Sequence, residues 1–262
     1  MGLGVFSMIL DDINMISIVQ VGCGGTGGYL VPKVARLLMT LAEFKKELRV
    51  IYTLNDFDFI EEKNLYRQNF IQGDLGKNKA DVLALRYGSH FGVNIISCSE
   101  KIENSEQIKS LFSLRTNNGM YWSPKILCIL IGAVDNNHAR KTMHELFHNW
   151  NGFGYGHSLA YIDAGNGKFT GQVVTGYRTF KEIIMPPVGD VFPEALIEDE
   201  PEQPQNCALN ALQNPQNIGA NDMAATLTFS VVNVLLTNGE INSHIINFDG
   251  KNQMISTRKC GD

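Results

Sequence analysis

The sequence lacks several features that mark large classes of proteins. Its five cysteines are odd in number and form no C-x-x-C pair, which excludes a recognisable zinc knuckle and favours a reducing compartment. Its 22 Lys and Arg residues form no basic run and the formal net charge is −5, so little is available to neutralise a nucleic-acid backbone. It has no uninterrupted run of roughly 18 apolar residues, the length that a membrane-spanning helix needs. We therefore expect a cytoplasmic protein that binds neither nucleic acid nor a membrane.

The composition is typical of a soluble enzyme with a packed core. The hydrophobic fraction is 44% and the charged fraction 19%. A single domain of 262 residues can bury most of its apolar surface, so we expect one domain over residues 1–262. Cys98 and Cys128 end or lie within strand-like apolar runs, and both are expected to be small core residues.

Strand-like and helix-like segments alternate through most of the chain. Short apolar, β-branched runs predict strands, and apolar residues at helical spacing predict the helices between them. The alternation predicts an α/β fold with a Rossmann-like, mostly parallel sheet covered by helices on both faces, and with added antiparallel strands towards the end. The predicted strands lie at 15–21, 48–54, 93–98, 126–131 and 159–164. The predicted helices follow the glycine-rich turn, cover 78–87 and 217–236, and include one that follows a loop within GAVDNNHARKTMHELFHNW; a closing hairpin surrounds Asp249 and Gly250.

Residues 181–206 differ in composition from the rest of the chain. From residue 185 onwards this segment holds five prolines and a group of acids, which is too polar and too often broken by proline for a core element. Long loops inside compact domains are usually functional or disordered. We expect a mobile, acidic, proline-rich crossover loop that covers an extended peptide tail.

A glycine-rich turn stands between the first predicted strand and the first predicted helix. Such a turn lets backbone N–H groups and the positive end of the helix approach phosphates, because no Cβ atom obstructs them. The pattern G-x-G-x-x-G most often binds NAD(P) or FAD, so it predicts a nucleotide site without choosing the nucleotide. The residues that meet the requirement are Gly22, Gly24, Gly25 and Gly27.

Polar side chains follow the second predicted strand. Asp56 comes directly after it and is placed to accept hydrogen bonds from ribose hydroxyls, which every adenine nucleotide offers. Two cations and two amides come next, a combination that suits attack at the α-phosphate of a triphosphate and that an NAD-linked oxidoreductase does not need. The alternative interpretation is a solvated polar loop with ordinary ion pairs. The four residues are Asn64, Arg67, Gln68 and Lys79.

The same stretch resembles the ThiF/MoeB family, which includes the ubiquitin-activating enzymes. That family has a GxGGxG turn, a DxDxVexxNLxRQ motif and a GxxKA motif in this order, and this sequence has GCGGTG, DFDFIEEKNLYRQ and GKNKA. Asp135, in GAVDNNHAR, matches the family's aspartate after the fourth strand. The resemblance is strong over residues 16–180 and implies a ThiF-like adenylation domain.

The resemblance also implies a role for each matching residue around the nucleotide. The glycine turn would approach its phosphates, Asp56 would bind its ribose, and Asp58 would belong to the same site. Asn64, Arg67 and Lys79 would hold the phosphates.

The remaining implied roles concern the metal and catalysis. Asp135 would ligate Mg²⁺, which prefers oxygen ligands, and Gln68 would lie behind the groups that touch the phosphates. Arg67, Lys79 and Asp135 would be catalytic through positioning and charge neutralisation. ATP and Mg²⁺ are therefore expected, and zinc is not, because the paired cysteines of the family's zinc site are missing.

The activity implied by the resemblance is adenylation of the C-terminal carboxylate of a ubiquitin-like protein with a Gly-ending tail. A homodimer and a downstream conjugating enzyme are implied as partners. The alternatives are adenylation of a small peptide or of an RNA-linked carboxylate, and a nucleotide-binding scaffold without turnover; an NAD(P) oxidoreductase ranks last. One difference from the family favours the scaffold interpretation. The first arginine of the sequence is Arg36, so the family's N-terminal arginine has no counterpart.

Cys207 is the candidate for a second step, in which a thiolate captures the activated carboxyl group as a thioester. It opens CALNALQNP, a predicted helix start, where the helix dipole would lower the pKa of a thiol. Its position is similar to that of the cysteine-bearing crossover segment in ThiF-like proteins of PRTRC-type elements, the group that the sequence resembles most. A thiol without a catalytic role is the alternative.

Histidines form a further candidate group. His144 and His148 have the i, i+4 spacing that puts two side chains on one face of a helix. No third ligand at metal spacing is evident in the sequence, so we interpret them as a surface pair. The other two histidines of this region are His138 and His157.

Overall fold

The computed structural model describes residues 13–112, 126–154, 156–197 and 218–260. Its strands are β1 (Met15–Val21), β2 (Arg49–Asn55), β3 (Ile95–Cys98), β4 (Ile126–Gly132), β5 (Ser158–Asn166), β6 (Thr170–Arg178), β7 (Ile183–Met185), β8 (Ile245–Asp249) and β9 (Met254–Arg258). Its α-helices are α1 (Gly25–Phe44), α2 (Glu62–Leu65), α3 (Lys79–Phe91), α4 (Ser105–Leu111), α5 (Asn137–His148), α6 (Val188–Val191) and α7 (Ile218–Asn238), and 3₁₀ turns cover Gln72–Asp74, Gly152–Gly154 and Pro193–Leu196.

The described strands form one nine-stranded sheet in the order β3-β2-β1-β4-β5-β6-β8-β9, with β7 paired to β6. The strands from β3 to β5 in this order are parallel, and the pairs from β5 onwards are antiparallel. The parallel part has the 3-2-1-4-5 order of a Rossmann-like sheet, in which ligands bind at the carboxyl ends of the strands. The predicted fold class is confirmed.

The sheet has a hydrophobic core on each face. Along β1, Ile16 and Ile18 join one buried cluster, whereas Met15 and Val19 join the other. Because successive side chains of a strand point to opposite faces, a strand covered on both sides is largely apolar along its whole length. This explains the apolar run of β4 and the mostly apolar sequence of β1, in which Ser17 and Gln20 are the buried polar residues.

Helix α7 is long and apolar enough to cross a membrane by length and composition alone. In the structure it packs against α1, β5 and β6, and Val232, Leu235 and Leu236 are fully buried in the core. The core of a folded domain explains its apolar sequence. No other helix of the described residues passes the same test of length and hydropathy.

Two local expectations need correction. Helix α4 was not predicted; its N-cap is Asn104, whose side chain accepts a hydrogen bond of 3.0 Å from the backbone N–H of Gln107. Cys98 ends the edge strand β3 and is half-buried, so it is not a core residue, whereas Cys128 is fully buried in β4.

The segment 181–206 is more ordered at its start than its composition predicts. Residues 183–197 form β7, α6 and a 3₁₀ turn, and Met185 and Val188 are buried. The prolines explain part of this: Pro187 precedes the first turn of α6 and Pro193 opens the 3₁₀ turn, where a missing N–H costs nothing. Residues 198–206 lie outside the described residues, and the mobility of the segment stays a prediction.

Candidate nucleotide and acceptor sites

The glycine turn after β1 allows two close approaches of the backbone. Gly22 has a φ of 97°, and a Cβ atom on it would lie 2.3 Å from the carbonyl oxygen of Ala133. A Cβ atom on Gly27 would lie 2.1 Å from the carbonyl oxygen of Gly22. Gly24 is the cap of α1, and no side chain caps the first turn of that helix. The turn therefore presents the positive end of α1 to the space above β1.

A buried pair of polar side chains supports this turn from below. The amide of Gln20 donates hydrogen bonds to the carbonyl oxygens of Gly22 at 2.9 Å and Gly27 at 3.2 Å. The hydroxyl of Tyr52 donates to Gln20 Oε1 at 2.5 Å, and burial raises the pKa of Tyr52, so it stays a donor. Neither residue was predicted, because each is a polar side chain within a mostly apolar strand and belongs to no motif.

Asp56 joins the end of β2 to the glycine turn. Its carboxylate accepts hydrogen bonds from the backbone N–H of Cys23 at 2.7 Å and of Asp58 at 2.9 Å. Burial raises its pKa, while the nearby Lys79 and the two backbone donors act in the opposite direction. The residue that the resemblance assigns to ribose thus also holds the turn in place.

Lys79 lies at the start of α3, against the segment that follows β2. Its Nζ is 2.7 Å from Asp58 Oδ2, and its side chain is largely buried. Asn78 caps α3 and donates to the carbonyl oxygens of Asp56 at 2.8 Å and Asp58 at 3.2 Å. The GKNKA and DFD motifs are therefore in direct contact.

These elements surround a cavity of about 420 Å³ at the carboxyl ends of the parallel strands. Its wall combines two cations with several carboxylates, a donor set suited to a polyanion and a divalent cation. The cation Lys101 was not predicted; the only available signal was its place after β3, at the same edge of the sheet. The polar residues that line the cavity are Asn55, Asp56, Asp58, Lys79, Lys101, Asp135, Asn136 and His138, and the glycines are Gly22 and Gly24.

Two predicted phosphate-binding residues, Asn64 and Arg67, are not among those that line this cavity, and neither is Gln68, which was predicted to lie behind them. Asn64 is buried, and its Oδ1 accepts a hydrogen bond of 2.8 Å from the N–H of Glu61, which caps α2. Gln68 lies beside the turn, 3.5 Å from the place of a Cβ on Gly24, and its buried Oε1 has no hydrogen-bond partner among the described residues. Arg67 is half-buried. Their roles toward a nucleotide stay predictions.

Asp135 is exposed and stands where two cavities meet. It follows β4 and precedes Asn136, whose side chain caps α5 by accepting a hydrogen bond of 2.8 Å from Ala139. It lines the first cavity and also a second one of about 360 Å³, and Ala133 and Val134 are common to both walls. The second cavity is further lined by Gly25, Thr26, Arg140, Ala164, Gly165, Asn166, Gly167, Thr170, Gly171, Gln172, Val188 and Ala195.

A buried ion pair fixes the wall of the second cavity. Nε of Arg140 is 3.0 Å from Asp163 Oδ1, and Nη2 donates to the carbonyl oxygen of Val134 at 3.1 Å. Tyr161 donates to Asp163 Oδ2 at 2.9 Å. Arg140 therefore holds the loop that carries Asp135, an arrangement that brings together residues distant in sequence. Cys207 lies outside the described residues, and so does any thioester site built on it.

Fold and site together define an α/β protein with a Rossmann-like sheet and a polar cavity at a glycine-rich strand-turn-helix unit. The chain belongs to the ThiF family, whose sequence model matches residues 5–262. No curated protein matches the chain.

Solved structures share the fold at low sequence identity. E. coli MccB, crystallised with AMPCPP and MccA, has a TM-score of 0.57 and 16% identity, over 97% of this chain and 66% of MccB. MccB with ATP has a TM-score of 0.55 and 17% identity, over 97% of this chain and 65% of that one. PaaA has a TM-score of 0.57 and 13% identity, over 96% of this chain and 66% of PaaA. The chain thus spans just under two thirds of the length of these structures.

Proposed function

We propose that this protein uses Mg·ATP to adenylate a carboxylate, and that the carboxylate is the C-terminus of a ubiquitin-like protein. The observation that carries the proposal is the pair of cavities that meet at Asp135. A reaction between two substrates needs them side by side, and one shared carboxylate at their junction suits a Mg²⁺ ion between them.

The first cavity is suited to the nucleotide. The positive end of α1 and the Lys79 and Lys101 side chains would neutralise the phosphates. Asp56 would accept hydrogen bonds from the ribose, and Asp135 would ligate the Mg²⁺. Lys79 would leave its present ion pair with Asp58 or share its charge between that carboxylate and a phosphate.

The second cavity is suited to the tail of the acceptor. Gly165, Gly167 and Gly171 border it, and a Cβ on Gly171 would lie 2.5 Å from the carbonyl oxygen of Gly165. Walls without side chains suit a slim, extended, Gly-ending tail. Arg140 lines this cavity too, but its charge is paired with Asp163, so its part in the wall is to hold the loop of Asp135 in place.

The reaction itself would depend on position and charge. One oxygen of the acceptor carboxylate attacks the α-phosphorus, the bond to the bridging oxygen breaks, and pyrophosphate leaves, so that an acyl-adenylate remains. The carboxylate is already ionised, so no general base is needed. In a second step, the Cys207 thiolate would displace AMP and form a thioester, from which a conjugating enzyme could accept the acyl group.

A second candidate is adenylation of a small peptide. It is favoured by the structural likeness to MccB, which was crystallised with MccA. No contact among the described residues favours adenylation of an RNA-linked carboxylate or a scaffold without turnover over these two. We also propose that the protein acts as a homodimer, which analytical ultracentrifugation tests.

The nucleotide half of the proposal is tested by calorimetric titration with Mg·ATP. We expect Lys79→Ala to weaken binding at least tenfold, because it removes a largely buried cation from the cavity. Lys77→Ala is the matched control, since Lys77 is exposed two residues away and donates to Gly73. Equal affinities of wild type and Lys79→Ala would contradict the assignment.

The acceptor half is tested by intact mass spectrometry without reductant. The probes are Mg·ATP with a ubiquitin-like protein ending in Gly-Gly, the same protein without its tail, and a peptide of the tail alone. A reductant-sensitive adduct that Cys207→Ala removes supports both steps; an adenylate on the peptide alone favours the second candidate. If no probe yields an adenylate or pyrophosphate, the result contradicts the proposed activity.

A further inference from the structure

A second polar cluster lies outside the two cavities, between helices α5 and α6. His144 and His148 project from one face of α5, and their ring centroids are 4.5 Å apart. Asp190 on α6 faces both: its Oδ1 is 3.7 Å from Nε2 of His144, and its Oδ2 is 3.2 Å from Nε2 of His148. The third ligand that is not evident from the spacing of the histidines comes from an element 42 residues further along the chain.

The distances from Asp190 to the two histidines are close to those between the ligand atoms of a tetrahedral metal ion. Two ligand atoms that each lie about 2.1 Å from such an ion are roughly 3.4 Å apart. The ligand atoms of the three residues all lie within 4.8 Å of one another. The sequence across the helix is HELFH, and the H-E-x-x-H pattern is one in which two histidines of a helix bind zinc.

The Nε2 atom of His144 is the one near Asp190, so it is the ligand atom that this ring offers. Its Nδ1 is buried without a hydrogen-bond partner among the described residues. Gly189 lies against the same ring, and a Cβ on it would be 2.6 Å from that Nδ1. The glycine thus lets α6 approach α5 closely enough for Asp190 to reach both histidines.

We propose that His144, His148 and Asp190 bind one divalent transition-metal ion of the Zn²⁺ class, with water as the fourth ligand. The ion fixes α6 against α5. Val188 of α6 and Ala195 of the following 3₁₀ turn line the second cavity, so the ion stabilises one wall of that cavity. The site does not depend on the proposed adenylation, since none of its ligands lines either cavity.

The test uses the full chain after removal of metal with a chelator. Titration with Zn²⁺ followed by gel filtration and elemental analysis should give one ion per chain, and Co²⁺ should give the visible spectrum of a tetrahedral site with nitrogen and oxygen ligands. We expect His148→Ala and Asp190→Asn each to weaken Zn²⁺ binding at least tenfold. His90→Ala removes an exposed histidine of α3 and should bind as wild type does.

Hydrogen exchange tests the effect on the cavity wall. Zn²⁺ should slow exchange of residues 183–197 in wild type and in His90→Ala, and not in His148→Ala. Absence of stoichiometric Zn²⁺ binding, unchanged affinity in His148→Ala, or a cobalt–thiolate charge-transfer band would overturn the site. Exchange of 183–197 that Zn²⁺ leaves unchanged would overturn the role of the ion in fixing α6.

Discussion

The carboxylate of Asp56 accepts a hydrogen bond of 2.7 Å from the backbone N–H of Cys23, so the end of β2 holds the glycine turn that follows β1. We expect Asp56→Ala to release the turn and to weaken Mg·ATP binding by about tenfold to a hundredfold, the range of a hydrogen bond to a charged group. Asp56→Asn keeps one acceptor oxygen and should lose less of the affinity for Mg·ATP. Calorimetry measures both, and the exposed Asp81→Asn on α3 is the control. If Asp56→Ala binds Mg·ATP with the same affinity as Asp81→Asn, Asp56 does not have this role.

The glycine turn also predicts a contrast between two glycine-to-alanine changes. A Cβ on Gly27 would lie 2.1 Å from the carbonyl oxygen of Gly22, so Gly27→Ala must displace backbone and should destabilise the protein by about 1 to 3 kcal/mol or more, as overpacking of a core does. Gly73→Ala meets nothing within 4 Å and should change stability by about 0.5 kcal/mol or less. Urea unfolding of both variants gives the comparison. Similar midpoints for Gly27→Ala and Gly73→Ala would show that the turn accommodates a Cβ atom at residue 27.

Because Arg140 and Asp163 form a buried ion pair, removing one of the two charges should greatly lower the free energy of unfolding. Asp163→Asn leaves the guanidinium buried opposite a neutral amide, which costs about 3 to 5 kcal/mol of unfolding free energy. Asp222→Asn is the matched control, because its ion pair with Lys33 is partly exposed and worth about 0 to 1 kcal/mol. Chemical denaturation of the two variants measures the difference. If Asp163→Asn loses less unfolding free energy than Asp222→Asn, water or other groups compensate the charge of Arg140.

The cysteines predict a pattern of alkylation that depends on pH. The thiolate is the reactive form, and burial raises the pKa of both Cys23 and Cys128, with Asp56 adding to the effect at Cys23. Both therefore stay protonated as pH rises from about 7 to 9, and neither should react in the native protein. Among the four cysteines that the structure describes, Cys98 and Cys260 are only half-buried and should be labelled before Cys23 and Cys128. Peptide mapping after alkylation checks this, and native labelling of Cys128 would contradict the burial.

Much of the fold could be predicted because its signals are local. The apolar runs of β1 and β4 and the helical spacing of α1 and α7 are visible within short windows of sequence, and the glycine turn has a pattern of its own. The strand β7 and helix α6 were missed because they are short and flanked by prolines, and they are held by contacts with β6 and α5 rather than by their own composition. The closing hairpin of β8 and β9 is confirmed.

The site was predictable only where a motif carries it. Asp56, Asp58, Lys79 and Asp135 were named from motifs, and the structure brings them to one cavity. Gln20 and Tyr52 support the turn from inside two strands, and Asp190 meets His144 and His148 from a different element. Such partners depend on how distant segments pack together. The spacing of residues within one segment carries no information about that packing.

The two cavities share the wall formed by Ala133, Val134 and Asp135. If a molecule in one cavity shifts these three residues, it also changes the wall of the other, and the two occupants then alter each other's affinity by the same factor. The order of loading cannot alter that factor. Residues 133–135 are the shared surface through which one compartment would sense that the other is filled.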